Sequence, residues 1–306
     1  MDKSSKSVVP AYLAAVFKAI IYGTTVIFVG KLLETTDVFD VLALRFLTSA
    51  CAFLLLQAFG IIKVNFKGKS LKLLAATALF EPVLYFTFET YGIKNTTVIM
   101  AGILTALAPF FTVALETIFL KEKTNAKQRL FLLVRILGVV LITVFAQNSG
   151  ESSIAGIIFM LLAVISGSAF VVCSRGTSQN FTSTEITYFS ALSGAVVFNA
   201  INIVRHLSTG TITSYFVPLM NIDNVIGIIF LGVCSSIMAT GLNNYALSKV
   251  QASIISALSG LTTVTTIITG VLFNNEVLYW YHIAGTILIL IGIIGMSYAS
   301  SKKRLR

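Results

Sequence analysis

Long apolar stretches fill almost the whole chain and are separated by short polar connections. A helix rises about 1.5 Å per residue, so about 20 apolar residues are needed to cross the hydrocarbon core of a bilayer. Stretches of about this length recur ten times and predict ten membrane-spanning helices. We number them spans 1 to 10: 8–30, 40–62, 71–93, 96–119, 130–147, 154–174, 184–204, 222–244, 250–273 and 277–299.

The composition supports this interpretation. Of the 306 residues, 56% are hydrophobic and only 11% are charged, whereas about a quarter are charged in soluble domains. Such a chain cannot build a solvated surface, which excludes a soluble enzyme, a nucleic-acid-binding module and a secreted disulfide scaffold. The three cysteines lie far apart in apolar stretches, without metal-ligand spacing, and are interpreted as small buried side chains: Cys51, Cys173 and Cys234.

The basic residues of the connections predict the orientation. With a cytoplasmic N-terminus, 16 Lys and Arg fall in cytoplasmic segments and 3 in external ones, the bias typical of membrane proteins. This asymmetry favours ten spans with both termini in the cytoplasm. The net charge of +10 is therefore explained by topology, and no nucleic-acid partner is expected. We predict a multi-pass protein of a prokaryotic plasma membrane.

Two related halves are predicted, at residues 1–149 and 150–306. A shift of 154 places Glu122 on Glu276, and each of these residues follows the fourth span of its half. Because each half has five spans, the second half must insert upside down relative to the first. Inverted repeats of this kind are common in secondary transporters, which bind their substrate near the membrane midplane.

Several short motifs stand out along the chain: Tyr22-Gly23, Arg45-Phe46, Tyr91, the segment 101–109, and the endings 119–122 and 273–276. These motifs resemble those of the EamA-type members of the drug/metabolite transporter superfamily. In two positions the family's Leu-Gly-Glu ending lacks its glycine, and Thr263 stands where a second proline is expected.

This resemblance covers essentially the whole chain and has implications for fold and function. It implies an all-α membrane fold of two inverted five-helix repeats. It also implies an alternating-access carrier for small metabolites, in which spans 1–4 and 6–9 line the cavity while spans 5 and 10 lie to the side.

Six ionisable residues lie inside predicted spans, all in the first half. Each costs about 2.5–3.5 kcal/mol near the bilayer centre, so each suggests a function. Their estimated depths suggest three pairs: Lys18 with Glu81, Arg45 with Glu89, and Arg135 with Glu116. We interpret Arg45, Arg135 and Glu116 as structural charges.

The predicted substrate-binding or coupling residues are Lys18, Tyr22, Glu81, Tyr85, Glu89 and Asn243. The spacing i, i+4, i+8 places Glu81, Tyr85 and Glu89 on one face of span 3. Pro82 would free a backbone carbonyl beside them. Lys18 suits a carboxylate and Glu81 or Glu89 an ammonium, so the expected cargo is a zwitterion. Without a fixed cation Glu81 could carry a proton, whereas paired with Lys18 it would stay ionised.

The sequence therefore predicts a secondary transporter for a small polar metabolite, most naturally an amino acid or related amine, acting by export or proton coupling. The alternative is an exporter or flippase for cationic drugs or lipid head groups. A channel and a membrane-embedded enzyme are more remote, because the histidines, His206 and His282, lie at span edges. We expect no metal or cofactor beyond a proton or substrate gradient, and a monomer sufficient for function, with oligomers allowed.

Overall fold

The computed structural model describes residues 8–115, 126–148 and 153–301, and within these ranges the chain is helical and contains no strand. Seven helices in this part are long and apolar enough to cross a membrane. They correspond to spans 1, 2, 4, 6, 7, 8 and 9: Val9–Leu33, Val38–Ala58, Val98–Leu115, Ile154–Thr177, Ser183–Thr209, Ile222–Lys249 and Ala252–Asn274.

The remaining predicted spans are helical too. Span 5 forms Ala126–Asn148, and span 10 forms Trp280–Ser301, of which Trp280–Gly292 is a shorter apolar helix. Span 3 consists of Lys72–Ala78, Leu79–Leu84 and Tyr85–Lys94. The number of ten membrane crossings stays a prediction.

Spans 3, 4, 8 and 9 are irregular near their middles. In span 3 the segment Leu79–Leu84 is π-helical, and Glu81 leaves the helical region with φ −143° and ψ 115°. Pro82 follows directly and lacks the N–H that a regular helix needs. Span 8 contains the longer π-helical segment Phe230–Ala239. π-helical segments are rare and occur frequently at functional sites.

Spans 4 and 9 are each interrupted by a short turn. Span 4 divides into Val98–Thr105 and Ala108–Leu115, and span 9 divides into Ala252–Leu258 and Gly260–Asn274. Irregular backbone at membrane depth is tolerated where it is buried in protein or lines a cavity. The four irregular spans therefore indicate where such a cavity lies.

Polar side chains fix where span 7 begins. Thr182 and Glu185 form a capping box, in which each side chain accepts a hydrogen bond from the other residue's backbone N–H. The Glu185 carboxylate also forms an ion pair of 2.8 Å with Lys69, in the connection before span 3. The helix ends at Gly210, whose φ of +68° favours glycine.

The two halves of the chain pack against each other along most of their length. The main contacts are spans 1 with 9, 1 with 8, 2 with 7, 3 with 6, 4 with 6, 4 with 9, and 5 with 10. Gly23 permits the close approach of spans 1 and 9, because a Cβ at this position would lie 2.5 Å from the Thr265 Cβ. These contacts are symmetric between the halves. If each span is replaced by its counterpart in the other half (span 1 by span 6, span 2 by span 7, and so on), the same set of contacts results.

The cysteines are less buried than the sequence suggested. Cys51 is exposed, and Cys173 and Cys234 are partly exposed. The expectation of buried cysteines assumed that apolar residues point inward. In a protein with so many apolar helices, the outer surface is apolar as well, because it faces lipid.

Glu276 joins the two halves at the start of span 4. Its two carboxylate oxygens accept hydrogen bonds of 2.8 Å from the backbone N–H groups of Val98 and Ile99. These N–H groups belong to the first turn of a helix and have no partner within it. The interaction gives Glu276 a structural role. Its counterpart Glu122 lies outside the described residues.

We expect Glu276→Gln to lower the free energy of unfolding by about 1–3 kcal/mol, because the amide can accept only one of the two hydrogen bonds and carries no charge. Thermal unfolding of the purified protein in detergent would measure this change. Glu34→Gln, at an exposed position, is the matched control. Equal melting temperatures for Glu276→Gln and the native protein would contradict the prediction.

Candidate functional site

A partly open cavity lies between the two halves of the chain. Its lining side chains come from spans 1, 3, 4, 6, 8 and 9. Spans 2 and 7 contribute no lining residue in the described part of the chain, which corrects the expectation that spans 1–4 and 6–9 all line the cavity. They pack behind it, against each other.

All six residues predicted to bind substrate or couple transport line this cavity: Lys18, Tyr22, Glu81, Tyr85, Glu89 and Asn243. The four of them that are charged or carry an amide are at most 7% exposed. Spans 4, 6 and 9 contribute hydroxyl groups to the lining: Thr105, Thr112, Ser168, Ser256, Ser259 and Thr262. The charged groups of the cavity thus come from spans 1 and 3, and spans 4, 6 and 9 supply hydroxyl groups.

Tyr22 connects three elements at one level of the cavity. Its hydroxyl donates to Glu81 Oε1 at 3.4 Å and lies 2.8 Å from the Thr240 hydroxyl in span 8. The Lys18 ammonium lies 5.2 Å from the centre of the Tyr22 ring, within the range of a cation–π interaction. No ion pair within 4.0 Å joins Lys18 and Glu81 in the described structure. Tyr22 lies between them.

Only one of the two carboxylate oxygens of Glu89 accepts a hydrogen bond in the described structure. Tyr85, one helical turn earlier, donates its hydroxyl to Glu89 Oε1 at 2.6 Å. Glu89 Oε2 is buried and has no hydrogen-bond partner in the described structure. Despite the break at Glu81, the three residues of the i, i+4, i+8 series all face the cavity.

Arg45 contacts the second half of the chain instead of pairing with Glu89. Its guanidinium donates to the hydroxyls of Ser236 at 2.9 Å and Ser235 at 2.7 Å and lies 4.0 Å from the centre of the Phe86 ring. Both serines belong to the π-helical segment of span 8. The pair of Arg45 and Glu89 suggested by depth is therefore not formed within 4.0 Å.

Arg135 is also buried, at 2% exposure. It packs where span 5 meets Gly292 of span 10. Its suggested partner Glu116 lies outside the described residues, so this pair stays a prediction. Asn244, in the second half, makes two hydrogen bonds between helices: it accepts from Ser174 and donates to Thr187.

A second polar cluster, centred on Asp40, was not predicted. The carboxylate of Asp40 accepts hydrogen bonds from Asn202, Arg205 and His206 at 2.6–2.8 Å. The three donors are spaced i, i+3, i+4 on span 7, which places them on one helix face. This spacing of polar residues is the feature of the sequence from which the cluster could have been predicted. The cluster joins spans 2 and 7 at the end of the bundle away from Lys18.

The described residues contain no group of three His, Cys, Asp or Glu side chains that could hold a metal ion. The buried polar groups of the cavity are hydrogen-bonding and ionic.

Many apolar helices around a buried, charged cavity define a multi-pass membrane protein of the transporter class. The model of the EamA-like transporter family matches this chain twice, at residues 9–144 and 154–298. The chain belongs to the EamA-like transporter family.

Curated relatives carry transporter names. The chain is 36% identical over 298 residues to the uncharacterized transporter YcxC of Bacillus subtilis, covering 97% of this chain and 96% of that protein. It is 26% identical over 242 residues to solute carrier family 35 member G1 of Homo sapiens, covering 75% and 62%. A solved crystal structure with 15% identity superposes with a TM-score of 0.70, over 94% of this chain and 98% of that one, which shows that the fold is shared.

Replacing Arg45 by lysine should lower the free energy of unfolding by about 1–3 kcal/mol. An ammonium cannot reproduce the planar fork that reaches both serines while stacking on Phe86. Thermal unfolding in detergent would test this, with Arg129→Lys at an exposed position as the control. A melting temperature equal to that of the control would show that the two serine contacts contribute nothing.

Proposed function

We propose that this chain is a secondary active transporter that moves a small zwitterionic metabolite, an amino acid or a related amine, by alternating access. The observation that carries the proposal is the central cavity, which collects one ammonium and two carboxylates between the two halves of the chain. Ionised groups are costly at membrane depth and mark substrate or ion pathways.

The chemistry of the lining residues suits both ends of a zwitterion. Lys18 makes no hydrogen bond in the described structure and is available to a carboxylate. Glu81 is available to an ammonium, since Tyr22 donates to one of its oxygens at the long distance of 3.4 Å. The Tyr22 and Tyr85 rings supply aromatic surface against which a cationic group can pack.

We further propose that residues 1–149 and 150–306 form two inverted five-helix repeats, with both termini in the cytoplasm of a plasma membrane. Three observations support this architecture. The family model matches once in each half, the contacts between spans are preserved when the halves are exchanged, and the cations concentrate in one set of connections.

Rocking of such halves around a central site gives alternating access. We propose export, driven by a proton gradient or by counter-transport of a second solute, with no bound cofactor. The cavity at the interface of the halves is the site that this movement would expose to each side in turn.

The proposal predicts that Glu81→Gln and Lys18→Ala each reduce transport at least about tenfold, because each removes a charge-assisted contact to the cargo. Protein reconstituted in liposomes loaded with unlabelled amino acids would be assayed for counterflow of the same mixture with radiolabel. Glu34→Gln and Lys72→Ala, both at exposed positions, are matched controls and should transport normally.

Folding of each variant would first be checked by thermal unfolding. Native rates of counterflow in both cavity variants would refute the proposed site. Movement of a cationic dye or of labelled lipid head groups, without amino-acid counterflow in the native protein, would instead favour the drug exporter or flippase.

A further inference from the structure

The charged residues of the cavity follow an order along the membrane normal that can be determined from contacts. Tyr22, Glu81 and Thr240 lie at one level, because the Tyr22 hydroxyl contacts both of the others. Lys18 precedes Tyr22 by four residues, one helical turn toward the start of span 1. Glu89 follows Glu81 by eight residues, toward the end of span 3.

Spans 1 and 3 run in the same direction. The start of span 1 packs in a cluster with the end of span 8, including Ala15 and Ala246. The end of span 3 lies instead near the connection that follows span 1, where Lys94 approaches Asp37 at 3.9 Å. Lys18 and Glu89 therefore lie on opposite sides of the Tyr22 level.

Asn243 belongs to the same end of the cavity as Lys18. It follows Thr240 by three residues, in the direction of Ala246, which packs with the start of span 1. Its Oδ1 is buried and has no partner in the described structure. The cavity therefore has a positive and amide-bearing end at Lys18, a carboxylate in the middle at Glu81, and a second carboxylate at the far end.

The far carboxylate has an unused acceptor. Glu89 Oε2 is buried without a hydrogen-bond partner, although Tyr85 occupies the other oxygen. Native structures rarely leave such atoms unpaired, so the atom requires an explanation. In the described part of the chain, Arg45 makes no hydrogen bond or ion pair to this oxygen within 4.0 Å, although its Nη1 is also buried without a partner. Its other two guanidinium nitrogens donate to serines, and Arg45 is not among the lining residues.

The distance between the carboxylates of Glu81 and Glu89 limits which bound molecules can contact both of them. Tyr85 and Glu89 are four residues apart in a regular helix, about 6 Å of rise, and the irregular segment from Glu81 to Leu84 precedes this helix. The α-carboxylate and α-ammonium of an amino acid are adjacent and occupy only the Lys18 and Glu81 positions. A second cationic group at the end of a long side chain is needed to reach Glu89.

We propose that the cargo is a dibasic amino acid, with its α-carboxylate at Lys18, its α-ammonium at Glu81 and its side-chain cation at Glu89. The cavity presents one positive and two negative charges in that order, which complements one negative and two positive charges in the cargo. The four-carbon stem of a lysine-like side chain spans the Tyr85 region. This inference rests on the proposed function and names its substrate class.

The test compares ligands that differ only at the far end. L-Lysine, Nε-acetyl-L-lysine and L-norleucine share the α-carbon groups, but only lysine carries the second cation. Binding to the native protein in detergent would be measured by isothermal titration calorimetry, and counterflow in proteoliposomes would be measured with the same compounds. We expect lysine to bind at least about tenfold more tightly than either neutral analogue, as a charge-assisted contact implies.

Glu89→Gln supplies a second readout. It should bring the ratio of lysine to norleucine affinity toward one, whereas Glu34→Gln at an exposed position should keep the native ratio. Because the ligand series uses the native protein, the proposal stays testable even if Glu89→Gln does not fold.

The outcomes separate the two proposals. Equal affinity of lysine and norleucine, with both transported, would overturn the dibasic cargo and leave the amino-acid transporter intact. Failure of lysine, its analogues and the whole amino-acid mixture to bind or exchange would refute the proposed function itself. A native lysine preference that persists in Glu89→Gln would overturn the role of Glu89.

Discussion

An ionised side chain inside hydrocarbon must find compensating partners, and this requirement determines which helices lie together around the cavity. Arg45 obtains two hydroxyls from span 8 and an aromatic face from span 3. Glu81 and Glu89 obtain phenol hydroxyls from Tyr22 and Tyr85. Lipid offers no such partners, so any arrangement that separated spans 1, 2, 3 and 8 would leave these charges unpaired. The apolar residues make the chain a membrane protein, but the few charges specify how its helices are arranged.

The backbone obeys the same constraint. A break in a membrane helix exposes N–H and C=O groups that lipid cannot satisfy, so breaks occur only where protein or a cavity replaces lipid. Pro82 interrupts span 3 beside Glu81, and the π-helical segment of span 8 presents Ser235 and Ser236 to Arg45. The irregular segments and the buried charges therefore occupy the same region. Both need polar partners, and each supplies some of the partners that the other needs.

Local geometry explains what the sequence could predict. The helical period alone places Glu81, Tyr85 and Glu89 on one face, so their convergence on the cavity was accessible from spacing. The partner of Arg45 could not be predicted in this way. The depth of a residue along its helix does not determine in which direction around the helix axis its side chain points. Glu89 lies at a depth similar to that of Arg45, but Arg45 contacts two serines about 190 positions away in the sequence. The Asp40 cluster was missed because its donors become meaningful only once spans 2 and 7 are adjacent.

The contacts between helices are symmetric between the two halves, but the distribution of buried charges is not. Lys18, Glu81 and Glu89 all belong to the first half, and the second half contributes hydroxyl groups and the amide of Asn243 to the cavity. If the halves rock against each other, the charged groups move together and keep their order. The contacts from Tyr22 to Thr240 and from Arg45 to the two serines cross between the halves beside the cavity, so their geometry must change in such a movement. Hydroxyl partners suit that place, because a neutral group can release a charged or phenolic partner without leaving a second buried charge unpaired.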